Sequence, residues 1–461
     1  RTSSVPPFKM CHSSVYCTAD CWTSFRRSFL GVTVHWLGED CTTKSTVLAC
    51  MRLTGHHTYD VLAHALHGVL VDYEILNKVT VTVTDNASNF AKSFRIFGPP
   101  QMREDDEDIE MVSVQDILQV VSDSDTPPDP DEPRLPKHER CAAHTLNLIA
   151  AIDAERALQH VRYKRAFTRV MSTCKALWNK QQHSSIASEA VQQHLVRFLI
   201  VPCATRWNSL FNALDQIRQA GTRINKVLDA LNISRILGDD LVFLEEYTSV
   251  LRPVARSLDI LQGEKYMFMG ALLPTLWSLQ RSLHCPQALQ YCQPLLDAVK
   301  CGVVKRFAHQ LADPDYTIAA ATHPCFKLAW LQDDKLEREK WNLVRSCYQA
   351  HFRDEESPDH VAAPPNIDAD DDFFNIKRAG PQNSANDDFH RWMKSAVSDF
   401  AGFESYPRMK KLFMMYNTGL PSSASAERLF SMAKDTLSSK RGKISDAHFE
   451  AQLLLCCNKE L

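Results

Sequence analysis

Val79-Thr-Val-Thr-Val-Thr84 alternates β-branched apolar and polar residues for six positions, then breaks into Asp85-Asn-Ala-Ser-Asn-Phe90. The period of two predicts a strand, and the polar, turn-forming residues after it predict the start of a helix. Upstream, Ser14-Val-Tyr-Cys-Thr-Ala19, Phe29-Leu-Gly-Val-Thr-Val-His-Trp36 and Thr46-Val-Leu-Ala-Cys50 are three further β-rich runs, separated by turn or polar residues. Tyr59 to Tyr73 has apolar residues at 62, 66, 69 and 70, the spacing of a helix that buries one face. An order of β-β-β-α-β-α requires a mixed sheet with helices on its faces.

Beyond Ala142 the pattern changes. Strand signals become few, while helical spacing recurs from Thr145 to Trp178 and at 208–233, 240–262, 288–312 and 336–352. Two acidic stretches punctuate the chain. Residues 99–137 hold Pro-Pro at 99 and 127 and then Asp-Pro-Asp-Glu-Pro; residues 354–389 surround Pro364-Pro365 and the Asp370–Asp372 run. Both read as disordered linkers, because they offer too little apolar surface to offset chain ordering. They divide the chain into an N-terminal block (1–98), a middle block (138–353) and a C-terminal block (390–461).

At 461 residues the chain is long enough for about three folding units. With 44% hydrophobic and 23% charged residues it has the composition of an ordinary globular protein. Collagen-like and Gly/Pro-rich classes are excluded by 14 Gly and 22 Pro. No apolar run approaches the roughly 20 residues of a membrane span, so no membrane partner is expected. The start at Arg-Thr-Ser-Ser, without Met or an apolar signal segment, reads as part of a longer chain. Fifteen scattered Cys fit reduced thiols. No Cys-x-x-Cys occurs, so no classical zinc finger and no zinc are expected in this chain. The net charge of −3 conceals an asymmetry. From Arg103 to Glu139 there are 13 acids and 3 bases, and from Asp354 to Asp388 there are 10 acids and 2 bases. Outside these stretches the chain carries a net of +15, which suits a polyanionic partner.

Asp20 is expected to end the first strand and Asp85 the strand after the first helix. If those strands are neighbours, both carboxylates project from one sheet edge, where open α/β sheets place ligands. Paired carboxylates can hold two divalent ions about 4 Å apart for phosphodiester displacement, and oxygen ligands favour Mg²⁺ or Mn²⁺. The alternative for Asp85 is an ordinary helix N-cap.

Thr18-Ala-Asp20-Cys-Trp22-Thr-Ser, Thr84-Asp85-Asn-Ala-Ser-Asn89, Cys141-Ala-Ala-His144-Thr-Leu-Asn-Leu, Ala204-Thr-Arg206-Trp207-Asn-Ser and Pro421-Ser-Ser-Ala-Ser-Ala-Glu427-Arg-Leu-Phe-Ser occur in that order. Together they resemble the hAT transposase superfamily, closest to BED-finger hAT-like proteins, over about residues 14 to 458. The resemblance implies an α/β ribonuclease-H-like catalytic core interrupted by a large all-α insertion, with a C-terminal dimerisation segment. On that pattern 1–98 is the first part of the core, 99–137 an acidic linker and 138–204 a helical continuation of the core. The insertion is then 205–353, a second acidic linker 354–389, and the last part of the core with the dimerisation region 390–461. The upstream BED finger is missing from this sequence.

The resemblance maps the metal-binding, catalytic carboxylates onto Asp20, Asp85 and Glu427, with Mg²⁺ or Mn²⁺ as cofactor. It makes His144 a candidate to contact DNA or the scissile phosphate. By spacing, Cys141 and His144 lie one helical turn apart with His138 a turn earlier, a poor zinc set that reads better as packing. Arg206 and Trp207 pair a phosphate-binding guanidinium with a stacking surface for a flipped base, or else a surface Arg with a core Trp. Arg428, Lys440, Arg441 and Lys443 follow the Glu427 motif and are candidate phosphate contacts. In the tail, Phe449, Leu453 and Cys456 or Cys457 fall on one apolar stripe that needs a partner, either this chain's own core or a second copy; the resemblance favours both at once and makes Phe449, Leu453 and Leu454 dimerisation candidates. Two functions fit: a nuclear, dimeric DNA transposase that cleaves and joins strands, or a catalytically silent derivative acting as a nuclear DNA-binding regulator. Neither involves a small-molecule substrate.

Overall fold

The computed structural model describes residues 15–99, 132–203, 207–263, 267–284, 288–353, 385–437 and 444–458. Most of both acidic stretches lies outside these residues. Lys137 and Ala385, assigned above to the linkers, instead belong to a strand and a helix.

Five strands form one mixed sheet: β1 (Val15–Ser24), β2 (Arg27–Leu37), β3 (Thr43–Leu53), β4 (Val79–Thr84) and β5 (Lys137–Arg140). Their spatial order is β3-β2-β1-β4-β5. β1, β2 and β3 are an antiparallel meander, whereas β4 and β5 run parallel to β1. The parallel pairing requires a crossover, supplied by α1 (Tyr59–Asp72) between β3 and β4. A further helix, α2 (Ser88–Phe97), follows β4. β5 escapes a reading by pattern because Lys-His-Glu-Arg has no apolar alternation; its pairing with β4 comes from topology.

Alternation along β1 divides the two faces. Val15, Cys17 and Ala19 join the core under α1 and α2, as do Leu30, Val32 and Val34 of β2. Tyr16, Thr18 and Asp20 therefore face the other way, as do Phe29, Gly31, Thr33 and His35. That second face is covered by α3 (Ala142–Ala151), α16 (Ala424–Thr436) and α17 (Asp446–Cys457).

Between α3 and α16 the described chain is helical, and no strand follows Arg140 among the described residues. The helices are α4 (Val161–His183), α5 (Ser185–Leu195), α6 (Trp207–Ala220), α7 (Ile224–Ala230), α8 (Gly238–Leu261) and α9 (Leu272–Leu283). They continue as α10 (Gln293–Arg306), α11 (Ala308–Ala312), α12 (Pro314–Thr322), α13 (Asp334–Phe352), α14 (Ala385–Lys394) and α15 (Pro407–Asn417). The apolar faces of α4 to α12 share one large core, which reaches the sheet through Tyr16, Val83 and Cys141, while α13, α14 and α15 pack in a second cluster with Leu37 and Cys41. No described helix is long and apolar enough to cross a membrane. No disulfide occurs among the described residues.

The tail resolves the choice left open for its apolar stripe. Phe449 and Leu453 are fully buried in this chain's own core with Phe29 and Cys50, and the Phe449 ring lies 5.0 Å from that of Phe29. Glu450 Oε1 accepts the Cys50 N–H at 3.0 Å, and Asn458 bonds both the N–H and C=O of Val47. α17 thereby satisfies backbone groups of β3, the edge strand that would otherwise invite another chain. Phe449 and Leu453 are not available as dimer contacts, because their burial is already spent within the chain. Leu454 is half-buried and Leu455 is exposed.

Candidate active site

Asp20 is not the last residue of its strand: β1 runs on to Ser24 as one arm of the β1–β2 hairpin. What ends near Asp20 is the pairing with β4, whose last matched residues are Ala19 and Thr84. Asp20 and Asp85 are therefore the next residues on two adjacent parallel strands, at the point where those strands part. Asp85 is not a helix cap either. α2 is capped by Ala87, and Asp85 Oδ1 accepts the Ala87 N–H at 3.2 Å, closing a tight turn between β4 and α2.

Glu427 arrives from the far end of the chain in the first turn of α16. The segment before α16 is clamped to the sheet and helices at several points. The Tyr16 hydroxyl, wholly buried, donates to the Leu420 carbonyl at 2.9 Å. The Ala142 N–H donates to the Pro421 carbonyl at 2.9 Å, and the Ser422 hydroxyl to the Leu261 carbonyl at 2.8 Å. Cys141 is the junction of this arrangement. Its N–H donates to the Thr84 carbonyl at the end of β4, while its Sγ accepts from the N–H groups of His144 and Ser423 at 3.4 and 3.3 Å. A fully buried thiol thus caps α3 and holds the entry to α16 beside Asp85. This role accounts for Cys141 without a metal, in line with the packing alternative read from its spacing.

Gly31 lets α16 approach. It pairs with Asp20 across the hairpin, and a Cβ there would stand 2.7 Å from the Phe430 ring and 3.0 Å from Leu429. Trp22, two residues beyond Asp20 on the same face, stacks on Phe430 with ring centroids 5.7 Å apart. Beneath Asp20 lies a buried polar row. Thr18 Oγ1 is 2.5 Å from Thr33 Oγ1, which is 2.8 Å from His35 Nε2. Burial, assisted by the positive charge of Arg428, lowers the His35 pKa to about 3, so this imidazole is neutral.

The electrostatics report that the three acids share one space. The Asp20 carboxyl is pushed up to about 8, chiefly by burial and then by the negative charges of Asp85 and Glu427; the Cys21 N–H, 2.7 Å from Oδ1, opposes the shift. Asp85 is also raised by burial, while the Ala87 N–H and the nearby His144 pull it down. Glu427 also presses on Cys141, whose thiol is raised mainly by burial. Residues 20, 85 and 427 are thus brought together by β1, β4 and α16, with His144 beside Asp85.

The other candidates divide. Trp207 opens α6 but is buried in the helical core, its ring 5.8 Å from Phe211. As folded it offers no open face to a base, and the core alternative holds. Arg428 is half-buried and donates to the Gln262 carbonyl and the Ser425 hydroxyl at 3.4 and 3.1 Å. Arg206, Lys440, Arg441 and Lys443 lie outside the described residues. Tyr16 and Gly31 were missed by motif reading, although a Gly inside a β-branched run is itself a sign of close approach.

Residues 18–102 match the family model of the ZBED1 RNase-like domain, a span that takes in Asp20 and Asp85. The chain is 23% identical over 195 residues to the "Putative AC transposase" of Zea mays, covering 42% of this chain and 21% of that protein. The "Putative AC9 transposase" of Zea mays matches equally, at 23% over 195 residues, which is 20% of its length. The "Putative transcriptional regulator tpeD" of Talaromyces stipitatus is 39% identical over 71 residues, 15% of this chain and 8% of that protein. The chain spans about a fifth of the length of the maize relatives it matches. These likenesses support the resemblance to hAT-like transposases and proteins derived from them.

Proposed function

We propose that this chain is the body of a hAT-type DNA transposase that cleaves and joins DNA strands in the nucleus, with Asp20, Asp85 and Glu427 as the metal-binding carboxylates. The observation that carries the reading is the convergence of these acids across 342 residues of sequence, from Asp85 to Glu427. Proteins seldom crowd like charges in a partly buried place without a ligand that needs them.

The donor set fits the ions the resemblance implies. It is made of carboxylate oxygens, which suit Mg²⁺ or Mn²⁺, and the charges acting on Asp20 are those of two other acids rather than of a cation. Divalent ions bound there would supply the positive charge that in-line displacement at phosphorus requires. The chain's own part is positional. Cys141 and Tyr16 hold the entry of α16, and Gly31 admits α16 close to β2, which supports a Glu427 near enough for its charge to act on Asp20. Asp20 must release its proton to act as a ligand, so cleavage should gain with pH up to about 8. His144, beside Asp85, is placed to meet a phosphate near the same carboxylates. The basic body outside the acidic stretches supports a DNA partner, and self-association would use surfaces other than Phe449 and Leu453.

A second reading, a DNA-binding regulator without cleavage, is favoured by the stretch similar to a protein named as a transcriptional regulator. One experiment separates the two. The full-length protein is incubated with Mg²⁺ or Mn²⁺ and DNA bearing the element's terminal repeats. Transposase activity predicts metal-dependent nicking that Asp20→Asn, Asp85→Asn and Glu427→Gln each abolish while DNA binding persists. Binding without any metal-dependent cleavage would reject the enzyme reading and leave the regulator.

A further inference from the structure

A second set of ligand-type side chains lies on the other side of β4, away from the three acids. Glu139 is on the edge strand β5 and is 7% exposed. His309 is on α11, and Asp313 is the N-cap of α12. One carboxylate oxygen from each acid and one imidazole nitrogen all lie within 4.8 Å of one another. Three atoms so spaced can surround a single ion after a small contraction, since the cis ligands of a four-coordinate zinc stand about 3.3 Å apart at bonds of ~2.0 Å.

Two features show that the cluster is not already satisfied. His309 Nδ1 is buried and has no hydrogen-bond partner, a costly state for an imidazole nitrogen. The charges also do not balance. Glu139, Asp313 and the neighbouring Asp315 are three acids set against Lys137 and His309, the two groups whose positive charge acts on them. The Lys137 ammonium lies 3.3 Å from Glu139 and 3.7 Å from Asp313, beyond the 2.7–2.9 Å of a tight charge-assisted bond. Its side chain is 35% exposed, so it can swing into solvent. Glu139 is further oriented by a hydrogen bond with Tyr316, and Asp313 Oδ1 by the Asp315 N–H at 2.9 Å, which leaves Asp313 Oδ2 facing the cluster.

We propose that Glu139, His309 and Asp313 bind a Zn²⁺ ion that ties the sheet edge to the helical body, with Lys137 displaced as the ion enters. The imidazole selects zinc over Mg²⁺ or Ca²⁺, which prefer oxygen donors throughout. Three protein ligands leave the fourth position to water. The absence of Cys-x-x-Cys pointed away from zinc, but this set joins residues 139, 309 and 313, a spacing no local motif would reveal. The site does not depend on the proposed nuclease function, as it shares no residue with the three-acid cluster.

The test is Zn²⁺ titration of the full chain by calorimetry, with thermal unfolding in parallel. In a chain carrying Asp20→Asn, so that the three-acid site does not contribute, zinc should bind with one site that His309→Ala and Asp313→Asn each weaken by about tenfold or more. Lys137→Met, which removes the competing ammonium, should tighten the same site. Tightening is a readout that misfolding cannot imitate, and circular dichroism checks the fold of the weakened variants. Equal zinc stoichiometry and affinity in the parent and His309→Ala, or weaker binding by Lys137→Met, would overturn the proposal.

Discussion

Phe430 closes over Gly31, its ring 2.7 Å from the point a Cβ on residue 31 would occupy. Because Gly31 pairs with Asp20, this contact sets how near α16, and with it Glu427, comes to the sheet. Gly31→Ala should push α16 outward and destabilise the chain by about 1–2 kcal/mol, the overpacking cost less the usual gain from removing a glycine. Urea denaturation of the variant measures it. Unchanged stability would mean that Phe430 yields freely and that Gly31 does not position Glu427.

The proton on Asp20 makes stability depend on pH. Unfolded, this carboxyl titrates near ~4; folded, it titrates at about 8. Between these values the folded chain holds a proton that the unfolded chain has lost, so stability falls as pH rises through the window. Asp20→Asn keeps the site neutral and should be the more stable protein at pH 8, by on the order of 1–3 kcal/mol after allowance for water screening at a half-buried group. At pH 4 the two should match. A variant less stable than its parent at pH 8 would contradict the crowding of the three acids.

Cys141 should tolerate Ser better than Ala. Ala removes the acceptor for the N–H groups of His144 and Ser423, and each buried donor left unpaired costs about 1–3 kcal/mol. Ser keeps an acceptor in the same place. Thermal unfolding of Cys141→Ser and Cys141→Ala gives the order. Equal losses would show that the thiol matters for its volume alone.

In the tail, Leu453→Ala should destabilise the monomer by about 2–5 kcal/mol, whereas Leu454→Ala should be much milder. Denaturation combined with light scattering distinguishes folding from assembly. A Leu453→Ala chain that keeps full stability but changes its oligomeric mass would return Leu453 to an intermolecular interface.

The sheet strands β1 to β4 and α1 were legible in the sequence, because β-branched alternation is a local signal; that β1 and β4 are neighbours, which brings Asp20 beside Asp85, was only a condition there, since alternation does not state which strands adjoin. Glu427 could be read only through the order of motifs, since nothing in Ala424-Ser-Ala-Glu427 states which sheet it will meet. β5 was not legible: four polar residues pair with β4 because the chain returns there, not because of any alternation. Trp207 and Phe449 show the limit from the other side. An apolar stripe or a large aromatic announces burial, and sequence alone cannot say whether DNA, a second copy or the chain's own core provides it.

Mn²⁺ binding tests the central claim, that Asp20, Asp85 and Glu427 make one metal site. The titration is followed by electron paramagnetic resonance in full-length protein carrying His309→Ala, so that the Glu139 cluster does not contribute. Binding should strengthen from pH 6 to pH 8 as Asp20 gives up its proton, and Asp20→Asn, Asp85→Asn and Glu427→Gln should each weaken it by at least about tenfold. Mn²⁺ affinity unchanged by Glu427→Gln, or the same at both pH values, would contradict the shared site.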